Sequence, residues 1–369
     1  MARLPEPTKG TVLDQDYAKY GFPLRTDPRY VALVLASDPW EYLDYHLRDK
    51  LGEREAERPR AFLEQARDFF QAAESHRVSS RPLLYYYSFL NLAKVLLLAR
   101  GISLDDRPIH GLRPISSGQA GGKRFAVQKV TVERRGPGKA VFPQLVAELG
   151  GSVTNGQELK VIQLLRQVVG IHGTWAEVAK GERGCFAHAR LDPMISANLT
   201  GVYGRVLLEK PWGSPALHKA IAERMGLTQV RIPSDCRPAD PSSSSLACLE
   251  TRKVKPKGLG YRSALSAVAQ SLRHDGVHAL LTRQGYRLYL SDFGAGESAR
   301  VPQVASIYAA MFYLGSITRY QPQDFDTIVK LRWAWLVSDF LNSQPRQFLY
   351  LMASEISGNE VVIPFGQLD

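Results

Sequence analysis

Arg183 and His188, in the stretch "RGCFAH", are two residue types that together could cleave a phosphodiester. A guanidinium group can stabilise the charge that develops on a phosphorane, and an imidazole can transfer a proton near neutral pH. The surrounding residues, however, have the pattern of short β-strands rather than of a helix end. The sequence therefore favours a chance spacing over a catalytic pair, and we assign no catalytic residue.

His274 and His278, in "HDGVH", have the spacing at which two imidazoles on a helix can share one metal ion. Gly276 between them disfavours a continuous helix, and no third ligand lies nearby in the sequence. We therefore expect neither a metal site nor a cofactor.

The glycine-rich stretch "SSGQAGGKR" resembles a phosphate-binding loop only superficially, because Ser117 stands where a Walker A motif needs glycine and Arg124 where it needs Ser or Thr. A flexible turn is the better interpretation. Its backbone N–H groups, with Lys123 and Arg124, could still contact an anion.

The densest basic cluster is "TRKVKPKG", with Arg252, Lys253, Lys255 and Lys257. Only Tyr261 follows closely, so stacking of single-stranded bases has little support. Contact with phosphate or with an acidic surface is one interpretation, and an ordinary exposed strand and turn is the other. Together with Lys123 and Arg124, these residues form the predicted basic surface.

The net charge of +11 is distributed unevenly along the 369 residues. It amounts to +1 over residues 1–122, +12 over residues 123–300 and −2 over residues 301–369. A local excess of this kind predicts a positive surface that could attract nucleic acid, anionic lipid or an acidic protein. A merely solvated basic surface remains the alternative.

The elements that would position these residues are helical at both ends of the chain. "SDPWEYLDYHLRDKLG" has Asp38 as a cap and Gly52 as a stop, and "PRAFLEQARDFFQAAESH" has a second apolar stripe. Near the C-terminus, "VPQVASIYAAMFYLGSITRY" is broken at Pro322, and two further segments follow, "DTIVKLRWAWLVSDFLN" and "PRQFLYLMASEISG".

The stretch from Pro82 to Arg100 predicts a helix that is apolar all round except for Ser88, Asn91 and Lys94. It is long enough to cross a bilayer, but a central lysine costs about 2.5 to 3.5 kcal/mol on insertion scales, which favours a buried core helix. The three polar residues could be internal hydrogen-bonding groups or, with His110, the lining of a polar pocket. We favour the structural role.

Short strand-like segments fill the middle of the chain, including a hairpin centred on Gln284 and Gly285. We therefore predict an α+β protein. Helical residues 1–122 and 301–369 form one core, and residues 123–300 form an inserted basic region that is rich in β-strands and contains some helices. The N-terminal sequence has no secretory signal and the three cysteines have no paired spacing, which predicts a cytoplasmic protein without disulfides.

"YYYSFLNLAKVLLLARG", followed by "HGL", and far downstream "FYLGSITRYQP" and "FLYLMASEI", resemble the YaaC-like family of bacterial proteins. The resemblance covers about half of the chain. It implies a helical core without an established catalytic motif, and one member of the family is the sensing component of a two-gene immunity system against jumbo phages. We therefore expect a non-enzymatic sensor or adaptor with a protein partner, and an oligomer is compatible with this role.

The first helical block also resembles, distantly, the helices of HEPN ribonucleases, in which an arginine and a histidine separated by four residues act on RNA. This resemblance leaves a metal-independent ribonuclease as the alternative function. The arginine and histidine pair is missing from the helix where that family carries it.

Overall fold

The computed structural model contains helices and antiparallel sheets, which confirms the predicted α+β class. Several segments of the basic middle region lie outside the residues that the structure describes. These segments include Lys123, Arg124 and Lys257. The structure describes residues 4–12, 33–104, 109–115, 125, 128–133, 140–179, 186–208, 219, 222–223, 225–234, 247–256, 261, 264–265, 267–268, 271–272, 277–282, 285–291, 301–328 and 332–364.

The chain divides into two compact units, each made of segments that are distant in sequence. The helical unit comprises residues 36–184 and 293–357, and the sheet unit comprises residues 1–35, 185–292 and 358–369.

The helical unit contains the long helices from both ends of the chain together with shorter ones from the middle. Its helices are α1 (Pro39–Leu51), α2 (Glu53–Ser75), α3 (Arg81–Ala99), α4 (Val141–Glu148), α5 (Val161–Arg166), α6 (His172–Ala179), α7 (Gln303–Tyr320), α8 (Pro322–Ile328) and α9 (Ala334–Ser357). A small antiparallel sheet in the order β3 (Leu112–Ile115), β4 (Lys129–Val132), β5 (Glu158–Lys160) completes the unit.

The boundaries of α1 are those expected from its sequence. The Asp38 carboxylate accepts hydrogen bonds from the backbone N–H groups of Trp40 at 2.9 Å and Glu41 at 3.3 Å, as an N-cap does. At the other end, Gly52 has a φ of +78°, a left-handed conformation that glycine adopts without strain. Both predicted signals are therefore confirmed.

Helix α3 is the core of the helical unit, since α2, α7 and α9 all pack against it. Its Phe89 stacks on Phe348 of α9 with ring centroids 3.8 Å apart, and Gly315 of α7 allows close approach because a Cβ there would lie 3.1 Å from the Pro82 carbonyl oxygen. By length and composition α3 could cross a membrane, but 67% of its most apolar 18-residue stretch is buried inside the protein. This burial is typical of a core helix.

Helix α9 continues through Pro345, where the sequence pattern suggested two separate segments. A proline inside a helix removes the N–H that would bond to the carbonyl four residues earlier. Here that carbonyl, on Leu341, accepts a hydrogen bond from the Arg81 guanidinium at 3.4 Å. Arg81 therefore supplies a long-range donor to the carbonyl that Pro345 leaves without its backbone partner.

The sheet unit is built on an antiparallel sheet of seven described strands in the order β10-β11-β6-β7-β9-β8, with β1 also paired to β6. The predicted hairpin is confirmed as β10 and β11. A short parallel pair, β2 with β12, belongs to the same unit. The strands are β1 (Gly10–Val12), β2 (Leu33–Leu35), β6 (Phe186–Ser196), β7 (Val202–Leu208), β8 (Thr228–Val230), β9 (Ala247–Glu250), β10 (Val277–Thr282), β11 (Gly285–Ser291) and β12 (Glu360–Val362).

Candidate functional site

Three of the predicted basic residues lie together just after β9. Arg252, Lys253 and Lys255 are all exposed, and none of the three forms an ion pair with any residue that the structure describes. We call residues 252–255 the bulge segment. Lys123, Arg124 and Lys257, the other predicted members of the basic surface, lie outside the described residues.

The bulge segment takes its name from the irregular pairing between the end of β9 and β7. Thr251 donates its N–H to the Gly204 carbonyl at 2.9 Å, and Val254 then exchanges two backbone hydrogen bonds with Val202 at 2.8 and 2.9 Å. Two residues, 252 and 253, therefore oppose the single residue Tyr203. This is a β-bulge, which bends the strand and redirects the side chains of the extra residues.

The Thr251 hydroxyl helps to hold this bulge in place. Its oxygen accepts a hydrogen bond from the Gly204 N–H at 2.8 Å and donates one to the Arg252 carbonyl at 3.2 Å. The backbone that presents the basic side chains is therefore fixed by the sheet, while the side chains themselves remain in solvent.

A cleft of about 330 Å³ opens beside the bulge segment. It is lined by aliphatic residues, two hydroxyl-bearing residues and one arginine. The lining residues are Met225, Gly226, Leu227, Thr251, Arg252, Val254, Val268 and Ser271.

A cluster of polar residues in the sheet unit is buried, and its charged side chains are paired with each other. The Arg205 guanidinium contacts the Glu250 carboxylate at 3.1 Å, and both side chains are 5% exposed. Arg205 and the Tyr203 hydroxyl donate to the Thr8 carbonyl at 3.0 and 2.9 Å, while Glu250 accepts from the Thr8 N–H at 3.2 Å. We call Thr8, Tyr203, Arg205 and Glu250 the anchor, because they fasten the N-terminal segment to the sheet.

Burial raises the pKa of the Tyr203 hydroxyl to about 12, with the nearby Glu250 charge as the next cause. The phenol therefore stays protonated and can donate its hydrogen bond to Thr8 at physiological pH. The anchor is arranged for structure rather than for proton transfer.

The polar stripe of α3 faces α2. Ser88 donates to the Ala66 carbonyl at 2.7 Å, and Asn91 donates to the Gln65 side chain at 3.3 Å. The Lys94 ammonium donates in turn to the Asn91 side-chain oxygen at 3.1 Å. These contacts join the two helices through hydrogen bonds.

Lys94 is half-buried, and its ammonium lies 4.6 Å from the centre of the Phe62 ring, within cation–π range. Burial lowers the pKa of this lysine. Among the described residues, Lys94 forms no ion pair with a carboxylate, so the aromatic face and Asn91 are its polar contacts.

His110 lies beside α3, where its Nδ1 atom hydrogen-bonds with the Tyr86 hydroxyl. Burial lowers the pKa of His110, and the positive charges of Lys94 and Arg319 lower it further. Burial raises the pKa of Tyr86 well above its usual value. No described hydrogen bond joins His110 to the rest of the stripe, so the predicted polar pocket stays a prediction.

The two histidine pairs considered from sequence are only partly described. His188 lies in β6 and packs edge-on to Tyr289 at 5.6 Å, whereas Arg183 is outside the described residues. His278 is buried in β10 with its ring edge-on to Phe186 at 5.2 Å, and His274 is also outside the described residues. Within the described part of the chain, no group of three potential metal ligands comes together.

The bulge, the cleft and the anchor were not anticipated from the sequence. The run of basic residues indicated charge at 252–255, but nothing in it marks an extra residue in the pairing with β7. For the anchor, the signal was weak: Arg205 and Glu250 are charged residues within otherwise strand-like apolar runs, a pattern that indicates buried pairing.

Comparison with known proteins gives one match. A family model described as "YaaC-like Protein" matches residues 26–356, which is most of the chain. No curated protein and no solved structure matches.

Proposed function

The chain belongs to the YaaC-like family, and on this premise we propose that it is a non-enzymatic, cytoplasmic sensor or adaptor in bacterial antiphage defence. In this role it binds an anionic feature of infection through the bulge segment and recruits a protein partner. A sensing role is held by JukA, a member of this family and a component of a two-gene immunity system against jumbo phages.

The observation that carries the proposal is the state of Arg252, Lys253 and Lys255. They are three exposed cations within four residues, on a backbone fixed by β7, and no described carboxylate pairs with them. Neighbouring like charges repel each other, and a bound anion removes this repulsion. The arrangement therefore favours binding of a negatively charged group.

The bulge cations differ from other exposed cations without a described carboxylate partner, such as Lys50, Arg54 and Arg77, because they lie within four consecutive residues on a backbone that pairs with β7. Some cations elsewhere are neutralised by carboxylates. In the helical unit Arg60 pairs with Asp44, and Arg67 pairs with Asp38 and Glu41. Exposed pairs of this kind contribute little to stability, but they neutralise the surface locally. The bulge segment keeps its positive potential, which attracts an oppositely charged partner over about one Debye length of 8 Å at physiological salt.

The test is protection of cells that carry the complete two-gene system against infection by a jumbo phage. The variant replaces Arg252, Lys253 and Lys255 with glutamate. We expect protection to be lost while the amount of folded protein is unchanged.

A matched control replaces Lys50, Arg54 and Arg77 with glutamate. These cations are exposed in the helical unit, and the change in net charge is the same. We expect this control to protect fully. Full protection by the bulge variant, or equal loss in both variants, would contradict the assigned surface.

A ribonuclease is the competing function, and purified protein incubated with total RNA tests it. Cleavage that disappears in the His188→Ala or His110→Ala variant would replace the proposal above. We expect the wild-type protein to leave the RNA intact.

A further inference from the structure

We propose that the cleft beside the bulge segment binds the C-terminus of a protein chain that ends in an aliphatic residue, with Arg252 contacting the terminal carboxylate. This inference rests on the proposed function and names the chemical class of the feature that is recognised. It follows from the lining, the size and the charge of the cleft.

One side of the cleft is aliphatic. Met225, Leu227 and Val268 are buried by their neighbours in the sheet unit, at 1%, 6% and 1% exposure, and Val254 completes this side. These three buried residues expose little area themselves, so the gain comes mainly from an aliphatic ligand side chain, whose own apolar area leaves water at about 25 cal/mol per Å². A leucine, isoleucine or valine side chain fits this requirement.

The other side is polar and positive. Arg252 lines the cleft with the hydroxyl-bearing residues Thr251 and Ser271. A guanidinium group can donate two parallel hydrogen bonds to a carboxylate, which gives both affinity and orientation. A ligand that suits both sides carries a carboxylate next to an aliphatic group, as the last residue of a protein does.

No carboxylate within the described residues competes for Arg252. Glu250 is the nearest one along the chain, and its oxygens are already engaged by Arg205 and the Thr8 N–H inside the sheet unit. The anchor thus keeps an adjacent negative charge away from the cleft. Lys253 and Lys255 leave the local potential positive.

The size of the cleft favours this small ligand group over larger ones. A volume of about 330 Å³ is at the lower end of the range for ligand sites, and it suits one or two side chains. None of the described residues that line it is aromatic, so these residues offer no platform for stacking of nucleic-acid bases. The end of a longer chain can enter the cleft while the rest of that chain remains outside.

Fluorescence anisotropy with the full-length protein tests the inference directly. The probes are fluorescein-labelled peptides of sequence Gly-Ser-Gly-Ser-Gly-X, where X is Leu, Ile, Val, Asp or Lys, each made as the free acid and as the amide. We expect the free acids ending in Leu, Ile or Val to bind at least tenfold more tightly than their amides, because hydrogen bonds to charged groups contribute about 1.5 to 3 kcal/mol.

Two variants connect the binding to the cleft. Arg252→Gln should weaken binding of the aliphatic free acids at least tenfold, and Ser271→Phe should weaken it by filling the cleft. Lys219→Gln, which changes an exposed lysine of the same unit, should bind like the wild type. The melting temperature of each variant shows whether it is folded.

Three results would overturn the inference: equal binding of acid and amide, equal binding of Asp or Lys and Leu endings, or no binding by any peptide at 1 mM. Its failure is distinguishable from failure of the proposed function. If no peptide binds but charge reversal abolishes protection, the basic surface stands and the ligand class is wrong. If the peptides bind but charge reversal preserves protection, the cleft is a binding site without the proposed role in defence.

Discussion

Glu250 and Arg252 lie two residues apart, yet one belongs to the anchor and the other to the bulge segment. In the anchor, Arg205 and Glu250 are almost completely buried, and their charged atoms are bonded to each other and to the Thr8 backbone. In the bulge segment, the cations are exposed and have no described carboxylate partner. The difference separates charge that maintains the fold from charge that is left for a ligand.

The bulge marks the boundary between the two regions. Glu250 is the last residue of β9 and pairs in register with Arg205 of β7, whereas residues 252 and 253 both oppose Tyr203. A bulge redirects the side chains of its extra residues, so the regular alternation of β9 does not extend through the bulge cations.

The largest effect that we predict is on the anchor. Arg205→Ala should lower the free energy of unfolding by about 3 to 5 kcal/mol, because Glu250 would remain buried without its counter-charge. Urea denaturation measures this loss of unfolding free energy. Replacing Arg205 with Met and Glu250 with Leu together should recover most of it, and a loss below about 1 kcal/mol for the single variant would contradict the anchor's role.

A smaller effect is expected from Gly10→Ala, at the strand that the anchor holds. A Cβ on Gly10 would lie 2.2 Å from the Ile195 carbonyl oxygen, so β1 must move away from β6. We expect a loss of about 1 to 3 kcal/mol, as for other overpacked sites, and faster proteolysis within residues 4–12. Gly173→Ala is the matched control, since α6 has open space there and alanine favours helix, so its stability should rise slightly.

In the helical unit, we expect the charge of Lys94 not to be needed for folding. Lys94→Met removes the ammonium and its cation–π contact with Phe62 but keeps a side chain of similar volume, so the free energy of unfolding should change by less than about 1.5 kcal/mol. The pKa of His110 should rise toward its usual value of 6.5, because one of the two cations that lower it is removed. An NMR titration of His110 measures this change, with Lys160→Met as a distant control.

The lowered pKa of His110 also predicts how acid affects the stability of the protein. Its pKa is lowered in the folded state, so below pH 6.5 the unfolded chain takes up the proton more readily and folding becomes less favourable. Lys94→Met should reduce this acid sensitivity. An unchanged His110 titration would show that the ammonium charge is too well screened to influence the imidazole.

The smallest structural effect is predicted for the bulge segment. Replacing Arg252, Lys253 and Lys255 with glutamine should change the free energy of unfolding by no more than about 0.5 kcal/mol, as is usual for exposed side chains. The variant should elute from a cation exchanger at lower salt than a variant with Lys50, Arg54 and Arg77 changed to glutamine. A destabilisation of 2 kcal/mol or more would mean that the bulge cations, like Arg205, maintain the fold.

The sequence was informative where local patterns decide structure. The cap at Asp38, the stop at Gly52, the buried apolar helix and the β10–β11 hairpin were all predictable, because each depends on residues that are close in the chain. The continuity of α9 through Pro345 was not, because proline is an ordinary helix-breaking signal and the donor to the Leu341 carbonyl comes from Arg81, 260 residues away. Long-range contacts of this kind leave no local signal.

Net charge along the chain was a less direct guide than the positions of individual cations. The sheet unit contains 20 Lys and Arg against 14 Asp and Glu, and the helical unit contains 27 against 22. The net charge is therefore +6 for the sheet unit and +5 for the helical unit, although along the sequence the positive excess lies in residues 123–300. Three neighbouring cations without described carboxylate partners mark the candidate surface, and pairing in space cannot be counted from sequence alone.

The bond between Thr8 and Glu250 spans 242 positions of the chain, with a consequence for how the protein is made. During translation residues 4–12 are synthesised long before residues 186–250, so β1 stays unpaired until β6, β7 and β9 exist. A bulky insertion beside β1 would therefore slow maturation more than one in the exposed loop after α2.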